Sequence, residues 1–92
     1  DKLYRAIVAC QNVDEARKFL DDLLTPQEKI DLCDRVTVAD LFLKDKTYVE
    51  VTKETNVSSA TLARVSKCLQ KGEGYNLIIP RLQATEKKKE NK

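Results

Sequence analysis

At 92 residues with a net charge of +2, the chain has the length of one small domain, in a range where a single hydrophobic core is only marginally sufficient. Two glycines, two prolines and no Trp, among many Leu, Lys, Glu and Asp residues, favour an all-α fold. No apolar run approaches the roughly 20 residues of a membrane-spanning helix, so we expect no membrane partner.

The first two predicted helices are amphipathic. The first covers residues 2–10 and the second covers residues 14–23, with a break at Asn12 or Val13. Apolar residues recur at helical spacing on one face of each helix. In the second helix these residues are Ala16, Phe19, Leu20 and Leu23.

The third helix has a strong start signal and an unusual composition. Thr25, Pro26 and Glu28 supply a cap, a proline in the first turn and a carboxylate that can return to the cap. We expect the helix to run to about Lys44, with apolar residues around most of its second half. Because a small monomer needs only one apolar stripe on a surface helix, this pattern predicts a two-fold homodimer. The alternative is a helix at the centre of a compact monomer.

Residues 47–71 are typical of a helix-turn-helix. Thr47 and Glu50 have the spacing of a capping box, and Ser58 or Ser59 can cap a second helix. Asn56 lies where the chain must turn, and Asn adopts the left-handed backbone conformation readily. The apolar residues that should join the two helices are Val51, Val57, Leu62, Val65 and Leu69. The dominant use of this motif is to place its second helix in the major groove of DNA.

The outward face of the second of these helices carries small, hydroxyl and basic side chains. Small residues allow close approach to a duplex, hydroxyls bond base edges or phosphates, and cations attract phosphates. The candidate DNA-binding residues on this face are Ser58, Ser59, Ala60, Thr61, Ala63, Arg64 and Lys67. The alternative is an ordinary helical hairpin with a solvated face.

The charge is distributed unevenly along the chain. Residues 1–43 hold six basic and nine acidic residues, a net charge of −3, whereas residues 44–71 hold six and three, a net charge of +3. Residues 72–92 hold five basic and three acidic residues, a net charge of +2. Positive charge therefore gathers on and after the helix-turn-helix, where phosphates would lie.

The end of the chain contains breakers and then a charged tail. We expect Gly72 and Gly74 to end the second helix of the motif. A short or kinked helix, or an extended arm, should follow because Pro80 interrupts helical hydrogen bonding. Residues 83–92 lack an apolar cluster and are predicted to form a disordered charged tail. We expect this tail to solvate the protein; the alternative is contact with the DNA backbone.

The cysteine and histidine content indicates which metal or catalytic chemistry and which cellular compartment to expect. The odd number, wide spacing and apolar neighbours of Cys10, Cys33 and Cys68 fit reduced, buried thiols in a cytoplasmic protein. Without any His or Cys-x-x-Cys pair we expect no metal, no cofactor and no enzymatic activity. No signal peptide is visible, and because the chain begins at Asp1 we expect a short segment to precede it.

At the level of whole segments the chain resembles a known family. The run LTPQEKIDLCDRV, followed by TYVEVTKETNVSSATLARVSKCL, resembles the tryptophan repressor family, and LYRAIV, FLDDLLT, RVTVADLF and GYN resemble its YerC/YecD-like branch. The resemblance covers about residues 3–82. It implies one six-helix, Trp-repressor-like domain over residues 1–82, forming an intertwined homodimer. It also implies a transcriptional regulator that binds two half-sites of double-stranded DNA roughly 34–36 Å apart.

The resemblance also implies positions for an effector. Thr25, Arg35 and Arg64 match residues that surround tryptophan in the responsive members of the family. Val65 stands where those members have a glycine that leaves room for the indole, and Cys68 replaces a better hydrogen-bonding group. We therefore expect that tryptophan is not the corepressor. We expect Arg35 and Arg64 to make structural ion pairs or phosphate contacts; the possible partners are Asp31, Asp34 and Asp40.

In the family the first turns of the recognition helix contact bases and phosphates, which matches residues 58–63 here. Val49 occupies a base-reading position of the preceding helix and offers no polar group, so the operator should differ from the tryptophan operator. Tyr48 beside it either contacts the DNA backbone or packs. These features imply a sequence-specific DNA-binding regulator, a repressor rather than an activator. The alternative is a helical protein-interaction module that retains helix-turn-helix geometry.

Overall fold

The structure, a computed structural model, describes the backbone of residues 1–90 and the side chains of residues 1–87. Within that range the chain forms six α-helices and no strand, which confirms the all-α, six-helix prediction. The helices are α1 (Lys2–Ala9), α2 (Val13–Leu23), α3 (Pro26–Leu43), α4 (Tyr48–Glu54), α5 (Ser59–Lys71) and α6 (Gly74–Glu90).

Contacts within the chain gather in two compact units, and α3 runs continuously through the boundary between them. The first, here called the N-terminal unit, is Asp1–Leu32; the second, the C-terminal unit, begins at Cys33. The single domain expected over residues 1–82 therefore stays a prediction. The three cysteines are free thiols, but the prediction that they are buried was wrong: Cys33 is exposed, and Cys10 and Cys68 are partly exposed. Each unit is described by itself below.

The N-terminal unit has no buried residue. Apolar side chains of α1 and α2 meet around a depression of about 120 Å³ lined by Ile7, Cys10, Ala16, Phe19 and Leu20. Large apolar residues are nevertheless exposed throughout this unit, namely Leu3, Tyr4, Ile7, Val8, Val13, Leu23, Ile30 and Leu32. Two short helices and half of a third provide too few neighbours to enclose these side chains.

Local hydrogen bonds set the helix starts in this unit. The Asn12 side chain accepts from the Glu15 backbone N–H at 2.9 Å, and the Glu15 carboxylate accepts from the Gln11 N–H at 2.9 Å. At α3 the Thr25 hydroxyl accepts from the Glu28 N–H at 3.2 Å, and the Glu28 carboxylate accepts from the Thr25 N–H at 2.9 Å. The start signal predicted for α3 is therefore confirmed as a reciprocal capping box.

The C-terminal unit has a core to which α3, α4, α5 and α6 all contribute. The fully or nearly fully buried residues are Val38, Ala39, Val51, Leu62, Val65 and Ile79. Leu41, Phe42, Leu43, Val57, Leu69 and Tyr75 pack against them. All five apolar residues predicted to join the two helices of the motif lie in or against this core.

The left-handed residue in this unit is Asp45 and not Asn56. Asp45 has φ 64°, and it is the only non-glycine residue with positive φ in the described part of the chain. The Asp45 N–H donates to Phe42 O at 3.1 Å and the Lys46 N–H donates to Leu41 O at 3.2 Å, which is a Schellman ending for α3. The prediction for Asn56 was wrong because the chain leaves α4 through extended backbone at Thr55, with φ −129° and ψ 160°.

The last helix is longer than the sequence predicted. We expected a short element and a disordered tail over residues 83–92, but α6 continues through Pro80 to Glu90. Gln, Ala, Glu and Lys after Pro80 are strong helix formers. The Gln83 amide also donates to the Asp40 backbone oxygen at 3.1 Å and to its carboxylate at 2.8 Å, which ties α6 to α3. Residues 91 and 92 of the predicted tail lie outside the described residues.

Candidate nucleic-acid interface

The first helix of the motif begins at a complete capping box. The Thr47 hydroxyl accepts from the Glu50 N–H at 3.1 Å, and the Glu50 carboxylate accepts from the Thr47 N–H at 2.9 Å. These hydrogen bonds favour the ionised carboxylate, so the backbone and side chain of Thr47 hold the pKa of Glu50 below its usual value. The box fixes where α4 starts after the Asp45 turn.

The second helix of the motif is capped by Ser58. Its hydroxyl accepts from the Thr61 N–H at 3.3 Å and lies 3.1 Å from the Thr61 hydroxyl. Ser58 was predicted both as a cap and as a DNA-contacting residue, and the structure confirms the cap. The Ser59 side chain at the first helical position is exposed, so it keeps its hydroxyl available.

The outward face predicted for α5 is solvent-exposed. Leu62 and Val65 point into the core and are fully buried, which turns the opposite side of the helix outward. The exposed predicted residues are Ser58, Ser59, Ala60, Ala63, Arg64 and Lys67, and Thr61 is half-buried. The residues proposed to meet DNA therefore lie together on the surface of one helix and its cap.

Tyr48 and Val49 form the exposed start of α4. The Tyr48 ring packs at a centroid distance of 6.0 Å from Phe42, tilted by 38°, yet almost half of the residue is exposed. Tyr48 therefore packs against Phe42 and is also partly exposed to solvent. Val49 is 62% exposed and offers only an apolar surface.

A basic depression lies farther along α5. It has a volume of about 420 Å³ and is lined by Arg64, Lys67, Cys68, Lys71 and Gly72. Three cations and no carboxylate contribute to it. Lys71 was not among the sequence-predicted residues, although its position seven residues after Arg64 places it on the same helix face.

Comparison with known proteins relates the chain to a family and to a curated bacterial protein. Residues 1–83 match the family described as Trp repressor protein. The chain is also 33% identical to YerC of Bacillus subtilis (strain 168) over 93 residues, covering 100% of this chain and 89% of that protein. The chain belongs to the Trp repressor family. This confirms the resemblance, including its YerC-like character, and the family is one of DNA-binding regulators rather than enzymes.

The residues that match the tryptophan pocket of the family differ in their burial and contacts. Val65 is fully buried in the core with Val51 and Leu62. Arg64 and Cys68 line the basic depression, which neither Arg35 nor Val65 joins. In the N-terminal unit the Thr25 hydroxyl accepts the capping hydrogen bond at the start of α3.

Ion pairs were one expectation for the two arginines of that pocket. Among the side chains that the structure describes, neither Arg35 nor Arg64 has a carboxylate within ion-pair distance. Asp31 instead accepts from the Gln27 amide at 3.0 Å, and Asp40 pairs with Lys44 at 3.3 Å. The described side chains therefore show no ion pair at either arginine, and phosphate contacts, the other expectation for them, stay a prediction.

Two further findings concern other partners. Over the described helices, none is long and apolar enough to cross a membrane. Among the side chains of residues 1–87, no group of three or more His, Cys, Asp or Glu residues could hold a metal ion.

Proposed function

We propose that the chain is a cytoplasmic, sequence-specific DNA-binding transcriptional regulator that acts as a homodimer through α4 and α5. The observation that carries this proposal is the exposed face of α5, where uncharged small residues precede a basic stretch on a helix anchored by a buried opposite side. A recognition helix needs this combination, because its first turns must approach base edges while cations meet phosphates.

The homodimer is supported by the unequal burial of the chain. Eight large apolar side chains of the N-terminal unit are exposed, and Val36 of α3 is also 41% exposed. Large apolar side chains exposed in this number are typical of an interaction surface in a small protein. A second copy of the chain would cover it, and two-fold symmetry would set two recognition helices roughly 34–36 Å apart on DNA.

We propose repression because a small protein whose helix-turn-helix is bound over a promoter excludes other proteins from that promoter. We also propose that tryptophan does not regulate this head. The Val65 side chain, where responsive members have glycine, is fully buried among core residues and would occupy the space that the glycine leaves for an indole ring. At the start of α4 the exposed Val49 has no polar group, which supports an operator different from the tryptophan operator.

The DNA-binding proposal is tested by selection from a random duplex library at low salt. Sequences retained by the protein should share a two-fold motif, and their affinity should fall steeply as salt rises. Retention of no duplex above non-specific affinity would contradict the proposal. In a transcription assay on a promoter that carries the selected motif, added protein should lower transcript yield.

A matched pair of variants tests the face. Ala63→Glu places a carboxylate on the exposed side of α5, and Ala84→Glu makes the same exchange at an exposed position of α6. We expect Ala63→Glu to abolish binding of the selected duplex and Ala84→Glu to leave it within about twofold, with both variants folded by circular dichroism. Equal effects of the two variants would place the interface elsewhere.

The tryptophan proposal has its own measurement. Thermal unfolding of the wild-type protein in millimolar L-tryptophan should match unfolding in the same concentration of L-alanine. Because a ligand that binds the native state raises its stability, a reproducible increase in Tm with tryptophan alone would overturn our interpretation of Val65.

One observation favours a second candidate, a helical protein-interaction module. The exposed Val49 and Tyr48 give the head an apolar surface beside the α5 face. In that case the protein should remain dimeric and folded, yet show no salt-dependent binding to any selected duplex.

A further inference from the structure

The residues along the exposed face of α5 change character part-way along the helix. The first turns, from Ser58 to Ala63, contain no charged side chain. Arg64, Lys67 and Lys71 then follow at positions i, i+3 and i+7, so all three share one face. We call these three residues the basic stripe.

No described carboxylate pairs with the cations of the basic stripe. Ion pairs involving the described side chains include Lys46 with Glu54 at 3.7 Å in the same unit, but none involves a member of the stripe. The three side chains are exposed and line the same shallow depression, to which no carboxylate contributes. An unpaired row of like charges is costly for folding and useful for binding an anion.

The backbone beneath the end of the stripe is held in place. The Gly72 N–H donates to Cys68 O at 2.6 Å, and a Cβ at position 72 would lie 2.8 Å from the same oxygen. The Asn76 amide donates to Leu69 O at 2.8 Å and to Gly72 O at 3.3 Å. The last turn of α5 is therefore fixed by bonds from the following helix, which limits fraying at Lys71.

We propose that the basic stripe binds consecutive backbone phosphates at the rim of the groove and that Lys71 is a DNA-binding residue. This inference rests on the proposed function. It assigns base contacts to the uncharged turns of α5 and sequence-independent affinity to the basic stripe. A recognition helix enters the major groove with its N-terminal residues, so its later turns lie nearer the sugar–phosphate backbone. Seven residues of helix span about 10 Å, enough to reach more than one phosphate of a strand.

The test compares the wild-type protein with Lys71→Gln and with the double variant Lys71→Gln/Gln70→Lys. Gln70 is exposed and neighbours Lys71 in sequence, so the double variant keeps the net charge and moves the cation about 100° around the helix. Binding is measured by fluorescence anisotropy on a selected duplex and on an unrelated duplex, at several salt concentrations from 50 to 200 mM.

We expect Lys71→Gln to weaken both duplexes by a similar factor and to reduce the slope of log K against log salt by about 0.9 for each subunit bound. Between 50 and 200 mM salt, the wild-type protein and the variant both lose affinity. For each contact removed, the factor lost by the variant should be about 3.5-fold smaller than the factor lost by the wild type. The double variant should stay weakened, because its cation no longer lies on the stripe.

Several results would overturn the inference. Wild-type affinity and slope for Lys71→Gln, or full recovery in the double variant, would mean that the position of this cation does not matter, while the regulator proposal would stand. Weakening of the selected duplex alone would indicate base contact in place of phosphate contact. If Lys71→Gln abolishes a Tm increase caused by inorganic phosphate but leaves DNA binding unchanged, the stripe binds a small anion. If the wild-type protein binds no duplex, both proposals fail.

Discussion

The two compact units of the chain enclose their apolar side chains to different extents. The C-terminal unit buries six residues almost completely, whereas the N-terminal unit buries none. Both are rich in Leu, Ile and Val, so the difference arises from the number of helices around each apolar face. The C-terminal unit therefore encodes a core of its own, whereas the N-terminal unit leaves its large apolar side chains exposed in the single chain.

The largest effect should come from charging that surface. Ile7 of α1 is 49% exposed in the single chain, and Ile7→Asp should convert a dimer to monomers if a second copy covers it. Each lost apolar contact costs roughly 1.5–3 kcal/mol, and a dimer loses two. Val49→Asp makes a similar exchange at an exposed site of α4 and should leave the mass unchanged. Light scattering after size exclusion measures both; equal masses for all three proteins would remove the contrast between the units.

The next largest effect should come from truncating an apolar side chain, which should cost more stability in the C-terminal unit than in the N-terminal unit. Leu62→Ala removes a buried side chain from the C-terminal unit and should lower the free energy of unfolding by about 2–5 kcal/mol. Leu3→Ala makes the same exchange at a half-exposed site of the N-terminal unit. Urea unfolding should find a smaller cost there, and this cost should depend on protein concentration if the site is covered by a second copy. A concentration-independent loss as large as that of Leu62→Ala would contradict the comparison.

A pair of glycines tests how tightly the C-terminal unit is joined at α5 and α6. At Gly72 a Cβ would meet the backbone oxygen of Cys68, which cannot move away without bending α5, so Gly72→Ala should cost about 1–3 kcal/mol. At Gly74 a Cβ would meet nothing within 4 Å, and Gly74→Ala should be neutral or stabilising by up to about 1 kcal/mol. Thermal unfolding of both variants checks this order, and a reversed order would contradict the close contact at Gly72.

The smallest predicted effect concerns pH and the α4 capping box. Because the pKa of Glu50 is lowered in the folded state, its contribution to stability is present above the unfolded-state pKa of about 4.3 and is lost as the pH falls through the lower folded value. Glu50→Gln keeps an acceptor without the charge. Unfolding measured between pH 6 and pH 3 should therefore show the stability difference between wild type and variant shrinking as the pH falls. A constant difference would mean that ionisation of Glu50 is irrelevant.

Local features of this fold were predictable because they depend on neighbouring residues. Capping at Thr25 and Thr47 follows from a hydroxyl and a carboxylate three residues apart, and the buried side of α5 follows from helical periodicity. The residues predicted to contact DNA are on the exposed side of α5 because Leu62 and Val65 fix the opposite side. Their roles on DNA stay predictions.

Other features depend on contacts distant in sequence or on competing tendencies. Gln83 bonds to Asp40, 43 residues away, and no local pattern connects these residues. The charged run after Pro80 is as typical of a helix as of a disordered tail, so composition did not decide its structure. The place of Lys71 on the exposed face of α5 follows from its position seven residues after Arg64, although the sequence prediction ended at Lys67.

The left-handed backbone at Asp45 also determines which sequences this loop can accept. Gly, Asn and Asp tolerate φ near 64°, whereas β-branched residues there are strained. In a saturation library selected for a folded head, position 45 should therefore retain these three residues. Position 56, which needs no left-handed conformation, should accept a broad set. Variation between related sequences in this family should thus be narrower before α4 than after it.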